Sequence, residues 1–228
     1  MTRTRAAIAR RYNRGMQSPR RAGRVSANYL ILIAALAAAL GLWLGSRAFA
    51  PAAGPPLSTA VLYPTPRALP DFRLARADGG TLTLADWKGH WTVAFFGYTN
   101  CPDVCPTTLA TFKQASAKLR ADGVGDRVRF SFISVDPARD TPEQLSKYVG
   151  YFSKEFVAAT GTDEELTKLT RALGLVYSRD PTGNGDYNVD HSASAVIIDP
   201  EGREIGLFRP PFDAATMAAD LQTLAGSH

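Results

Sequence analysis

The segment Cys101-Pro102-Asp103-Val104-Cys105-Pro106 holds the only two cysteines of the chain, four positions apart. The thiolate is the form that attacks disulfides and binds soft metals, and the exposed N–H groups and dipole of a helix start favour it. Trp91–Tyr98 (WTVAFFGY) is a fully apolar run of the buried-strand kind, and Cys105–Asp122 is amphipathic at helical spacing and ended by Gly123. The cysteines therefore sit where a buried strand becomes a helix. Their spacing predicts both sulfurs on one face of a helical turn, able to grip one ion or to close a disulfide.

Three chemistries suit such a pair. A structural disulfide here would close a five-residue loop, which adds only about 2 kcal/mol by chain entropy. A dithiol oxidoreductase would use Cys101 and Cys105 as its redox pair. Thioredoxin-type enzymes, however, place two residues between their cysteines and a cis-proline before a later strand; here there are three, and Asp190-His191-Ser192 precedes Ala193–Asp199 without a proline. Peroxidase chemistry fits less well, since Tyr98 stands where peroxiredoxins carry Thr or Ser. A metal site needs a further ligand, and His191, just before a strand expected beside the cysteine loop, supplies one. Two thiolates and an imidazole suit copper in either oxidation state, whereas structural zinc wants four protein ligands. His90, in the turn Lys88–Trp91, and His228, the last residue, read as structural. The loop Gly183-Asn184-Gly185 upstream is expected to let His191 swing on and off an ion.

The elements around these residues alternate strand and helix. Phe72–Leu74 and Thr81–Leu84 flank Asp78-Gly79-Gly80 as a hairpin, Arg129–Val135 alternates as a strand, and Thr141 caps a helix starting at Pro142-Glu143. Phe156–Thr160 reads as a short strand, Asp163–Leu173 as a helix stopped by Gly174, and Asn184–Asn188 as a glycine-rich loop. Ala193–Asp199 and Ile205–Phe208 read as a hairpin across Pro200-Glu201-Gly202, followed by a helix over Asp213–Ala225 with Met217 in its core face. A strand, a reactive cysteine, a helix and a terminal hairpin plus helix outline an α/β, thioredoxin-like fold.

The 228 residues carry 26 Lys plus Arg against 21 Asp plus Glu, a net charge of +5. The excess is local, because eight arginines precede residue 25 while residues 51–228 hold 17 basic against 21 acidic residues. Nucleic-acid binding is thereby excluded, since it needs the charge on the folded surface. Residues 25–46 are uncharged and apolar; as a helix they would reach roughly 33 Å, against about 30 Å of hydrocarbon. Domain organisation follows: a basic cytoplasmic head (1–24), a transmembrane helix (25–46), a Pro-rich tether (47–66) and a folded domain (67–228). The positive-inside rule puts the N-terminus in the cytoplasm. The domain is then expected in a bacterial periplasm or, were the head a transit peptide, in a mitochondrial intermembrane space. Ala48-Phe49-Ala50 has the form of a signal-peptidase site, so a cleaved leader is the alternative.

The segment Phe96-Gly97-Tyr98-Thr99-Asn100-Cys101-Pro102-Asp103-Val104-Cys105-Pro106, then Ser134-Val135-Asp136-Pro137 with Asp140-Thr141-Pro142, then Asp190-His191-Ser192, resembles the Sco/SenC family of membrane-anchored copper proteins. The resemblance implies a thioredoxin-like domain with an inserted hairpin and one copper held by Cys101, Cys105 and His191. It also implies a partner, the copper-centre subunit of cytochrome c oxidase, with other copper carriers or thiol reductants upstream. The family divides between copper delivery and reduction of the oxidase's own cysteines; a redox or copper sensor is a third possibility. Asp103 is expected to tune the thiolates or cap the helix, and Asp136 to end its strand and order the Asp-Pro turn.

Overall fold

The computed structural model describes residues 26–48, 57–182 and 186–226. The basic head, Phe49, Ala50, Pro51, Pro55 and Pro56, the Gly183-Asn184-Gly185 loop and His228 lie outside the described residues. The chain divides into two units, residues 1–52 and 53–228. In the first, α1 (Ala27–Ala48) carries an apolar stretch, Asn28–Arg47, long enough to cross a membrane. Its leucines and isoleucines are all more than half exposed, the pattern of a helix whose every side needs apolar surroundings.

In the second unit the apolar runs form a sheet of eight strands. In chain order these are β1 (Ala60–Ala68), β2 (Arg73–Arg76), β3 (Thr81–Thr83), β4 (Trp91–Gly97), β5 (Val128–Ser134) and β6 (Val157–Thr160). A separate hairpin of β7 (Tyr177–Pro181) and β8 (Tyr187–His191) follows, then β9 (Ala195–Ile198) and β10 (Arg203–Phe208). The sheet order is β1-β10-β9-β4-β5-β6-β2-β3. Strands β4, β5 and β6 run parallel, and the remaining pairings are antiparallel. All seven residues of β4 are buried, as expected of a central strand covered on both faces. The helices are α2 (Val104–Ala121), α3 (Pro142–Phe152), α4 (Asp163–Ala172) and α5 (Ala214–Gly226), with α2 packed against α5.

Local chemistry explains the ends of these elements. The Thr141 hydroxyl accepts the Gln144 N–H at 3.2 Å with Pro142 in the first turn of α3, and Gly123 and Gly174 take positive φ (75° and 66°) where α2 and α4 stop. Met217 is buried in the core. With the cysteine loop after β4 and the antiparallel β9–β10 hairpin leading into α5, the architecture is thioredoxin-like.

Two expectations need correction. The tether does not extend to residue 66: β1 begins at Ala60 and pairs with β10, and Asp220 of α5 accepts the N–H groups of Ser58, Thr59 and Ala60. Prolines at 64 and 66 masked this strand. Lacking N–H groups, they are tolerated only on an edge, and the ladder breaks its register between Leu62 and Arg67 around them. The second correction concerns residues 177–191, read partly as loop. Tyr177–Pro181 and Tyr187–His191 pair as the strands β7 and β8, whose half-exposed residues lack the apolar run that marks a buried strand.

Candidate metal centre

Strand β4 delivers the chain into the cysteine loop at its C-terminal end. Asp140, fully buried, accepts the Thr99 N–H (2.8 Å) and hydroxyl (2.6 Å) together with the Ser134 hydroxyl (2.6 Å). That clamp ties the loop to the end of β5, two residues before Cys101. The expected shared helical face for both sulfurs is corrected here, because α2 starts only at Val104. Cys101 lies in the loop, partly exposed, while Cys105 is fully buried in the first turn. Pro106 in that turn removes an N–H that has no helical partner anyway.

His191 closes β8 opposite Tyr177. Its ring stands edge-on to Phe95 (5.6 Å between centroids) and Tyr98 (5.9 Å). Nδ1 lies 3.2 Å from the Ser192 carbonyl; a carbonyl only accepts, so Nδ1 donates there and Nε2 is turned toward the cysteine pair. Nε2 is 3.5 Å from Cys105 Sγ, and the ligand atoms of Cys101, Cys105 and His191 all lie within 4.8 Å of one another. Among the described residues these three form the one group of this kind. The structure thus brings together all three residues singled out from the sequence. Two soft sulfurs and one oriented imidazole fit copper, and a fourth protein ligand for structural zinc is not among them.

The thiols differ sharply. The hydrogen bond with the Cys105 thiol lowers the Cys101 pKa to about 4 against opposing burial, helped by the N–H groups of Cys105 and Asp103 and by His191. Cys105 is pushed the other way by its bond to Cys101 and by burial. The metal-free pair therefore gives up one proton readily and holds the second.

Asp103 occupies the N-cap position of α2 without capping it; its carboxylate accepts only a 3.4 Å bond from the Thr107 hydroxyl. Asp136 follows β5 and its carbonyl accepts the N–H groups of Arg139 and Asp140, so it orders the turn as expected. Its buried carboxylate also accepts from the Tyr187 hydroxyl and from Arg139, both at 2.5 Å. Arg139 and Tyr187 were not legible as parts of the site. Neither is a ligand type, and they stand 48 positions apart.

Comparison with known proteins agrees with this geometry. Residues 63–226 match the SCO1/SenC family. A protein of Stutzerimonas stutzeri is 37% identical over 151 residues, covering 66% of this chain and 74% of that one. The mitochondrial SCO1 homolog of Homo sapiens is 35% identical over 153 residues, 67% of this chain and 51% of that protein. The chain thus spans about half the length of its human relative. Among solved structures, Bradyrhizobium japonicum ScoI with copper bound superposes with a TM-score of 0.63 at 35% identity, over 69% of this chain and 99% of that one. On the extent of these matches, this chain belongs to the SCO1/SenC family.

Proposed function

We propose that this protein carries one copper ion on Cys101, Cys105 and His191 and delivers it to the dinuclear copper centre of cytochrome c oxidase. The observation that carries this reading is the convergence within 4.8 Å of two thiol sulfurs from the cysteine loop and the first turn of α2 with an imidazole nitrogen from the end of β8. Copper in a solved relative, B. japonicum ScoI, supports it. The apolar α1 and the arginine-rich head support a membrane anchor with its N-terminus in the cytoplasm and the domain on the far side, within reach of an embedded partner.

Titration of the reduced, full-length protein in detergent with Cu(I) tests the site. One equivalent is expected to bind, with binding lost in Cys101→Ala and Cys105→Ala and weakened in His191→Ala. Unchanged affinity in His191→Ala would remove the imidazole from the ligand set. Delivery is tested by transfer of the bound ion to a purified, reduced copper-centre domain.

A second reading, thiol–disulfide reduction of the oxidase cysteines, is favoured by the partly exposed, acidic Cys101 beside the buried Cys105 thiol. Cys101 thiolate would attack the target disulfide, and Cys105 would then displace the target, leaving Cys101–Cys105 oxidised and the target as a dithiol. Reduction of a disulfide-bonded oxidase fragment by a protein that binds no copper would establish this reading over the first.

A further inference from the structure

Among the described residues, the hairpin that carries His191 shares no ladder with the eight-stranded sheet. A two-stranded ribbon is marginal on its own in water, so the direction in which His191 points depends on what holds the ribbon to the domain. Arg139, in the turn after β5, is the hub of that attachment. Its Nε donates to Asp136 Oδ2 (2.5 Å), and its Nη1 donates to Asp186 Oδ1 (2.9 Å) and to the Tyr187 carbonyl (3.0 Å). The guanidinium lies over the Tyr187 ring, 3.9 Å from its centroid, while the Tyr187 hydroxyl donates to the other Asp136 oxygen. Asp136 is completely buried, which makes this charge-assisted pairing strong and its geometry fixed.

Side chains alternate along a strand, so Tyr187, Val189 and His191 point to one face of β8. Val189 is buried between the other two. Pinning Tyr187 at one end therefore fixes the face, and hence the side, on which His191 projects at the other. The Arg139 guanidinium also lies 5.8 Å from the Tyr98 ring centroid, and Tyr98 is the aromatic neighbour of the His191 ring. A second anchor, Arg179 of β7, donates to the Val135 carbonyl at 2.7 Å and to Asp163.

We propose that Arg139, clasped between Asp136 and Tyr187, is a positioning residue that latches the hairpin so that His191 stands over the cysteine pair. The proposal rests on the copper site proposed above. A lysine cannot replace it, because a single ammonium cannot make the forked contacts and the ring stack together.

The test uses the full-length protein in detergent, in two arms. In the first, Cu(I) affinity is measured by ligand competition for wild type, Arg139→Ala, His191→Ala and the double variant. Arg139→Ala is expected to weaken binding by about 10–100-fold, the usual cost of losing a ligand's support. Added to His191→Ala it should cost less than about threefold more, since the two act through the same imidazole. Wild-type affinity in Arg139→Ala, or an equal loss in both backgrounds, would overturn the latch. In the second arm, amide exchange of the metal-free protein should quicken at residues 187–191 while β4 and β9 stay protected; unchanged exchange there also overturns it. Should His191→Ala leave copper affinity intact, the ligand reading fails while the exchange arm still decides the latch. Should Arg139→Ala not fold, Tyr187→Phe, which removes only the hydroxyl bond to Asp136, replaces it in both arms.

Discussion

Cys105 Sγ rests against Gly97, where a methyl group on the glycine would come within 2.5 Å of the sulfur and 3.2 Å of the Phe95 and Phe132 rings. The last residue of β4 thus has no side chain because the buried thiol occupies its place. Gly97→Ala is expected to displace the sulfur, lowering copper affinity at least about tenfold and stability by about 1–3 kcal/mol, the range of overpacked cores. Competition titration and denaturant unfolding check both; unchanged copper affinity would show that the sulfur seat is not set by Gly97.

Cys101, with its pKa lowered to about 4 chiefly by the Cys105 thiol, should already be thiolate in mildly acidic solution. Iodoacetamide at pH 6 is expected to alkylate Cys101 and spare the buried Cys105, with a rate nearly flat from about pH 5 to pH 8. Peptide mass spectrometry reads the site. A rate climbing about tenfold per pH unit over that range, as for an ordinary thiol, would contradict a Cys101 thiolate held by the Cys105 thiol.

Replacing Asp140 leaves the Thr99 N–H, the Thr99 hydroxyl and the Ser134 hydroxyl without their common acceptor. Asp140→Ala should cost about 2–4 kcal/mol of stability. It should also loosen the loop ahead of Cys101, seen as a several-fold faster release of bound copper at temperatures where the variant is still folded.

Asp220 is buried, which by itself raises its pKa. The N–H groups of Ser58, Thr59 and Ala60 and the Thr59 hydroxyl outweigh burial and hold it below the usual carboxylate range. A carboxyl lowered in the folded state contributes stability that is present above its unfolded pKa, about 3.9, and is lost as pH falls through the lower folded value. Asp220→Asn should therefore be less stable by about 2–3 kcal/mol at pH 7, with the gap to wild type narrowing below about pH 4. Guanidinium unfolding from pH 3 to pH 7 measures it, and a gap independent of pH would refute the charged cap. Copper binding should not change, because Asp220 holds the entry of the chain into the domain and not the metal site.

The sequence by itself determined the chemistry and the buried frame. Two cysteines after an unbroken apolar strand, a histidine before another, and an arginine-rich head before a long apolar run are local patterns, and each follows from composition and periodicity. Tertiary structure alone decided how the ligands are held. The edge strand β1 hides behind Pro64 and Pro66, because an edge position tolerates residues that a central strand rejects. The hairpin β7–β8 hides because half-exposed strands lack an apolar signature. The clasp of Asp136, Arg139 and Tyr187 joins residues about fifty positions apart through charge and hydrogen bonds, which leave no periodic trace along the chain. The division of the thiols into one acidic and one protonated partner likewise needs their distance and burial, which a spacing of four residues does not contain.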